Sequence, residues 1–439
     1  MILPASAASL PSSPATATFA SRDRLPRAKL SSIVHVLILN WRGPGDPAGG
    51  GAEVYLEYVA RGLVAAGHRV TWLCGGQAAG KPLELPAGLH VQRHGGRLSI
   101  FPRAALAYLR DFRKRVDLVI ESVHGVPFLS CAYARVPKIL LVHHVHREIF
   151  QHELPAPAAW LGRSLEATIP RLYRHDWFVA VSDSTRDELA TLGVAADRLA
   201  IVHNGLDADR FRPGSRAERP TVLCLGRLKR YKSVDTLVQA AARWRRHGLD
   251  VHTVIAGDGP HRAALERLAT ELDVDRVTFT GAVDEEAKVR LLQQAHVVVQ
   301  PSLKEGWGMT VIEANACGTP VVAAAVAGLR DSVRDGETGL LVPPGDPEAL
   351  AAGVRSLFET PQRRAALGEN AQRWAARFTW DRTATSWAAL VAARGPGGPI
   401  PQALRRDLPK TSEAHRTANP TRDAPSDLDV DSDVWRSCA

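Results

Sequence analysis

Paired cysteines are missing from this 439-residue chain: its five, at positions 74, 131, 224, 317 and 438, are odd in number, widely separated and never spaced C-x-x-C. That pattern excludes a disulfide framework and offers no zinc or dithiol motif. Four of the five stand in apolar contexts, where cysteine acts as a small hydrophobe, so a reducing compartment is expected. Long apolar runs are missing too. Runs such as 138–142 and 320–327 fall short of the ~20 residues that a spanning helix needs. Prolines at 4, 11 and 14 interrupt the first 30 residues, which leaves no apolar core for a secretory signal and reads as a disordered leader, 1–30. Basic residues outnumber acidic ones, 55 to 46, for a formal charge of +9, yet no array interleaves them with aromatics, so nucleic acid is not an expected partner. Arginines scattered on helix faces, such as Arg243, Arg245, Arg246, Arg363 and Arg364, fit a solvated or membrane-facing surface.

What is present is globular and repetitive. Hydrophobic residues at 45% and charged residues at 23% are those of a folded protein, and the length calls for two domains. From residue 33 a short β-branched run, a turn cluster and a helix-period segment recur, the pattern of α/β units around parallel sheets. The first half offers strands at 33–39, 69–74, 117–121, 138–143, 177–181 and 199–203, and a helix, AEVYLEYVARGLVAAG, closing on Gly67. Residues 205–220, GLDADRFRPGSRAERP, break the pattern as a linker or hinge. It restarts with strands at 221–226, 251–257, 276–281, 296–300 and 320–324. The expected organisation is an N-terminal domain over 31–205, a C-terminal domain over 206–378, a last helix at 379–394 packing back on the N-terminal domain, and a disordered tail, 395–439. Two doubly wound domains place a binding site in the crevice at their strand ends.

Three motifs fall at such ends. GPGDPAGGGAE, 43–53, joins the first strand to the first long helix; it is not G-x-G-x-x-G, and reads either as a flexible turn or as an anion-binding loop. GRLKRYK, 226–232, follows the first strand of the second half and puts Arg227 and Lys232 where a fork-shaped guanidinium and an ammonium can neutralise a diphosphate. EGWGMTVIE, 305–313, follows HVVVQPS. A helix starting near Gly308 and ending by Gly318 would leave Glu305 in a loop, Glu313 inside the helix, and the amides of Gly306, Trp307, Gly308 and Met309 at the helix start. Donors for phosphate beside carboxylate acceptors for hydroxyls are what a nucleotide-sugar requires.

With GRLKRYK upstream, GDGP at 257–260, DGETGLLVPPGDPEAL at 335–350 and HNGLD at 203–207, this E-x7-E frame resembles glycosyltransferase family 4, the retaining group 1 glycosyltransferases of GT-B fold, over residues 33–393. The resemblance implies two Rossmann-like domains facing across a cleft. It implies that Arg227 and Lys232 bind the donor diphosphate, Glu313 the ribose hydroxyls and Glu305 the transferred sugar, that Gly50 and Gly51 close on the phosphates from the other domain, and that Val283 lines the base pocket. Trp307 is left to line the sugar pocket or to pack the loop. A histidine at the end of the strand KILLVH faces the donor sugar in this family, His143 first and His144 second; with His146 they also raise zinc, but adjacent histidines diverge and no fourth ligand is evident. His203 reads as a strand cap at the hinge. The alternating Asp427, Asp429, Asp431 and Asp433 read as a solvated tail.

The activity so implied is retaining, metal-independent hexosyl transfer from a UDP- or GDP-sugar to a hydroxyl of a glycan, lipid-linked or small-molecule acceptor, with no cofactor. The expected setting is cytoplasmic cell-envelope polysaccharide or glycolipid synthesis, with peripheral contact at the inner membrane face allowed by the basic surplus. Three rivals stay open: a glycoside hydrolase, which leaves the basic loop unexplained; a nucleotide-sugar epimerase of similar fold; and a non-catalytic sugar-nucleotide-binding partner subunit.

Overall fold

The computed structural model describes residues 33–46, 49–76, 84–96, 98–394 and 398–405. The expected leader and most of the expected tail, including the alternating aspartates, lie outside these. The β-branched runs form two sheets in which every pairing is parallel. The first holds β1 (His35–Asn40), β2 (Arg69–Cys74), β3 (Leu89–Arg93), β4 (Leu118–Val123), β5 (Lys138–Val142), β6 (Trp177–Ala180) and β7 (Leu199–Ile201) in the order β3-β2-β1-β4-β5-β6-β7. The second holds β8 (Thr221–Leu225), β9 (His252–Ala256), β10 (Val277–Gly281), β11 (Val297–Gln300), β12 (Val321–Ala324) and β13 (Gly339–Val342) in the order β10-β9-β8-β11-β12-β13. In each sheet the chain reverses its direction of travel once, between β1 and β4 and between β8 and β11. These switch points are where helices diverge to opposite faces and leave a crevice at the carboxyl ends of the strands.

Eleven of the thirteen strands coincide with expected runs to within a few residues; β3 and β13 were not foreseen. The first long helix, Gly51–Ala65, is followed by Gly67 at φ +90°, the left-handed stop that glycine tolerates. The last one, Trp380–Ala393, lies on it: a Cβ on Gly62 would sit 2.4 Å from the Cβ of Ala384, Tyr58 and Trp380 stack with ring centres 4.1 Å apart, and Trp387 Nε1 donates to Tyr55 Oη at 2.7 Å. Chain crossing between the halves is equally tight. His203 Nδ1 meets Val181 O at 2.9 Å, Thr383 Oγ1 donates to His203 O at 2.9 Å, and a Cβ on Gly205 would strike the backbone of Trp380 at 2.4 Å. The second part of the expected linker is held by the C-terminal half, where Arg216 donates to the carbonyls of Gln293 and Ala295.

Candidate functional site

The four strands flanking the two switch points send their following loops to one cleft. From β1 comes the glycine loop. Glu53 Oε2 accepts from Gly50 N at 2.7 Å, a capping contact that fixes the loop at the start of its helix. A Cβ on Gly50 would lie 3.2 Å from Arg227 Nη2, and one on Gly51 would lie 2.8 Å from Met309 Sδ. With no side chains at 50 and 51, the first half comes this close to the ends of the Arg227 and Met309 side chains of the second.

From β8 comes the basic loop, with Arg227 exposed and Lys232 half-buried. Lys232 precedes Ser233, which sits at φ +48°, a left-handed conformation costing a non-glycine residue roughly 1–2 kcal/mol. Ser233 precedes the helix Val234–Arg246, and its Oγ lies 2.9 Å from Thr236 Oγ1. From β11 comes Glu305, whose Oε1 accepts from Lys232 Nζ at 2.5 Å, Gln300 Nε2 at 2.8 Å and Ser302 Oγ at 2.9 Å. Burial works against the Lys232 charge, but Glu305 more than offsets it and holds the ammonium above its ordinary range.

The helix Met309–Ala316 begins here with Gly308 as N-cap at φ +82°, a conformation that favours glycine, and it points its positive end into the same cleft. One turn in, Glu313 is 4% exposed and bonds Lys288 Nζ at 2.6 Å. Burial pushes its carboxyl up, against the pull of Lys288. Val283, half-buried just after β10, packs at the edge of the core.

The histidines line the opposite wall. His143 is 6% exposed; its ring meets Tyr55 edge-on at 5.3 Å and stacks with His124 at 5.8 Å. Burial lowers it to about 3, so it is neutral at pH 7. His144 stacks instead on His146 at 4.2 Å, and burial keeps its imidazole well below the usual range. Gly306 abuts this wall: a Cβ there would come within 2.0 Å of the His143 carbonyl oxygen.

Of the two roles left open for Trp307, the side chain takes the packing one. The Trp307 indole is 4% exposed and packs on His203 at 4.5 Å and Phe378 at 4.9 Å. Its side chain packs where the chain crosses between the halves and leaves only backbone to face a ligand. Other residues were missed. His124 follows β4 at the switch point, 2.9 Å from Asn40 Oδ1 and 3.0 Å from Ser122 Oγ; burial first, then the neighbouring histidines, Arg42 and Arg227, hold its imidazole well below the usual range. Its place in ESVHGVP, directly after an apolar strand, was the available signal. Lys304, 4% exposed, pairs with Glu188 and, at 3.5 Å, with Glu148 of the first half. Ser184 N donates to Asp331 Oδ2 at 2.9 Å, and Lys229 pairs with Glu153 at 3.8 Å.

Two parallel α/β sheets whose switch-point loops meet across one cleft constitute the GT-B architecture. The chain belongs to glycosyltransferase family 4: residues 49–210 match Glycosyltransferase Family 4 and residues 207–374 match Glycosyl transferases group 1. It is 33% identical to the D-inositol 3-phosphate glycosyltransferase 2 of Catenulispora acidiphila over 84% of this chain and 96% of that protein. The D-inositol 3-phosphate glycosyltransferase of Geodermatophilus obscurus is 32% identical over 85% and 90%. Among solved structures, sucrose-phosphate synthase from Thermosynechococcus elongatus superposes with a TM-score of 0.70 at 25% identity, covering 82% of this chain and 98% of that one. The Anabaena protein Alr3699/HepE in complex with UDP and glucose has the same fold, with a TM-score of 0.68 at 21% identity over 82% and 100%. The protein is therefore a glycosyltransferase. Among the described residues no helix is long and apolar enough to cross a membrane.

Proposed function

We propose that this glycosyltransferase moves a hexosyl group from a UDP- or GDP-linked sugar to a hydroxyl of a glycan, lipid-linked or small-molecule acceptor, with retention of configuration and without a metal, in the cytoplasm or at the inner membrane face. The carrying observation is the convergence of Arg227, Lys232 and Glu305 from the second sheet on Gly50, Gly51 and His143 from the first. A diphosphate fits between Arg227, Lys232 and the start of the helix Met309–Ala316, where charge developing on the leaving group is stabilised in place. Glu313 takes the ribose and Val283 the base.

In the transfer step the bond from the anomeric carbon to the phosphate oxygen breaks, the acceptor oxygen bonds to that carbon, and the acceptor's proton passes to the departing phosphate. Glu305 Oε1 already holds three donors, which suits a sugar-positioning acceptor better than a nucleophile. Neutral His143 can accept or donate one hydrogen bond to the sugar. Similarity to proteins named D-inositol 3-phosphate glycosyltransferase, and to one solved with UDP-glucose, supports testing those two compounds first.

The test is release of nucleoside diphosphate by the full chain from a panel of UDP- and GDP-sugars, with and without acceptor and chelator, followed by the anomeric configuration of the product. Acceptor-dependent, chelator-resistant release giving a retained product is expected. Release of a new nucleotide-sugar without acceptor identifies an epimerase, and binding without release a non-catalytic subunit. Glu305→Gln and Arg227→Ala, still folded, should lose turnover; near-normal rates in either overturn the assignment.

A further inference from the structure

Glu313 is not alone in its pocket. Lys288, on the helix Glu285–Gln294, reaches across to place its Nζ 2.6 Å from Glu313 Oε1, with side-chain exposures of only 18% and 6%. The contact is built from several sides: the ammonium also pairs with Glu285 at 3.6 Å and lies over the Phe211 ring at 5.1 Å, and Arg210 pairs with Glu285 at 3.3 Å. A buried carboxylate that must accept hydroxyl protons loses half its use if it takes up a proton itself, because the protonated oxygen then becomes a donor.

We infer that Lys288 is a positioning residue of the donor site: its ammonium fixes Glu313 as the ionised, oriented acceptor that recognises the ribose diol of a nucleotide. The inference rests on the ribose role proposed for Glu313. The groups facing that carboxylate agree with it. Burial drives Glu313 towards its neutral form and Glu285 pushes the same way, while Lys288 and the more distant Arg210 oppose them. Cys317, the nearest thiol, is itself pushed up to about 12 by burial and stays neutral. Lys288 is thus the close counter-charge, and a hydrogen bond to an ionised acceptor is roughly twice as strong as one to a neutral acceptor.

The test is the pH profile of the donor KM, taken with UDP-glucose or whichever donor turns over, from pH 6.5 to 8.5. Lys288→Met should raise KM about tenfold at the acid end, acting on KM more than on kcat, with the defect shrinking as pH rises and Glu313 ionises unaided. Lys288→Arg, which keeps the charge, should restore the wild-type profile. A Lys288→Met defect of constant size across the range reports lost packing and overturns the inference. So does a wild-type KM in Lys288→Met when Glu313→Gln raises it. If Glu313→Gln itself leaves donor KM unchanged, the ribose reading fails first.

Discussion

Replacing Gly306 by alanine isolates the contact between the two halves of the cleft. The added Cβ would lie 2.0 Å from the His143 carbonyl oxygen and 2.9 Å from its carbonyl carbon. An ordinary carbon-to-carbonyl-oxygen contact is about 3.3 Å, so the halves must part here by about 1.3 Å, and the obstacle is backbone, which cannot swing away. Accommodating the extra carbon by local shifts would cost about 1–3 kcal/mol of overpacking, or a roughly 5- to 150-fold smaller population of the present arrangement. A displacement near 1 Å between reacting groups can cost about a hundredfold in rate. Steady-state kinetics on Gly306→Ala should therefore show kcat lowered by one to two orders of magnitude, with a thermal midpoint close to wild type because the open form escapes the clash. A Gly306→Ala enzyme turning over within twofold of wild type would refute the reasoning.

Two further outcomes follow from charge. Lys304→Met leaves Glu188 and Glu148 without their shared partner across the cleft, a loss of about 2–3 kcal/mol since Glu188 keeps some solvent; a lower urea midpoint together with a larger radius of gyration by small-angle scattering is expected, and an unchanged radius would deny the pair a role in closure. His143 and His146 are held down to about 3 and about 4, burial being the main cause in each. Below pH 6.5 the unfolded chain binds protons that the folded chain does not, so these groups withdraw stability as pH falls towards their folded values. Glu166, which burial raises to about 7, acts oppositely, favouring the folded state at low pH and losing that effect as pH rises from 4.5 to 7. His143→Asn should remove one proton's slope, about 1.4 kcal/mol per pH unit between pH 4 and 6, measured as the difference in unfolding free energy between variant and wild type.

Most of the fold was legible because buried parallel strands are near-continuous apolar runs with turn residues at their ends. LHVQR fails that test: β3 is an edge strand with His90 and Gln92 exposed, so no run marks it. GLLV, in β13, is too short and too close to glycines and prolines to stand out from a turn. The places of Arg227, Lys232, Glu305 and Glu313 in the fold were legible because each sits at a fixed offset from a strand or helix end. Trp307 was not, because whether an indole beside a glycine faces ligand or core depends on what the other half of the chain brings, here His203 and Phe378. Lys288 and Lys304 were invisible for the same reason. Each lies on a segment whose own pattern marks only a solvated face, and its partner stands 25 residues away in one case and 116 in the other.

The segment 305–309 ties the candidate site to the place where the chain crosses between its halves. Glu305 is anchored to Lys232 within the second half, Gly306 presses on the backbone of His143 in the first, and Trp307 fills the space against His203 and Phe378 where the chain crosses over. Three consecutive residues leave no slack, since neighbouring Cα atoms are only about 3.8 Å apart. A rotation about the crossing cannot then repack Trp307 without moving the Glu305 carboxylate relative to the histidine wall. A residue without a side chain at 306 is what permits the contact with the His143 backbone. The apolar residue at 307 is spent on packing at that crossing, which explains why a tryptophan stands between two glycines beside the Glu305 carboxylate.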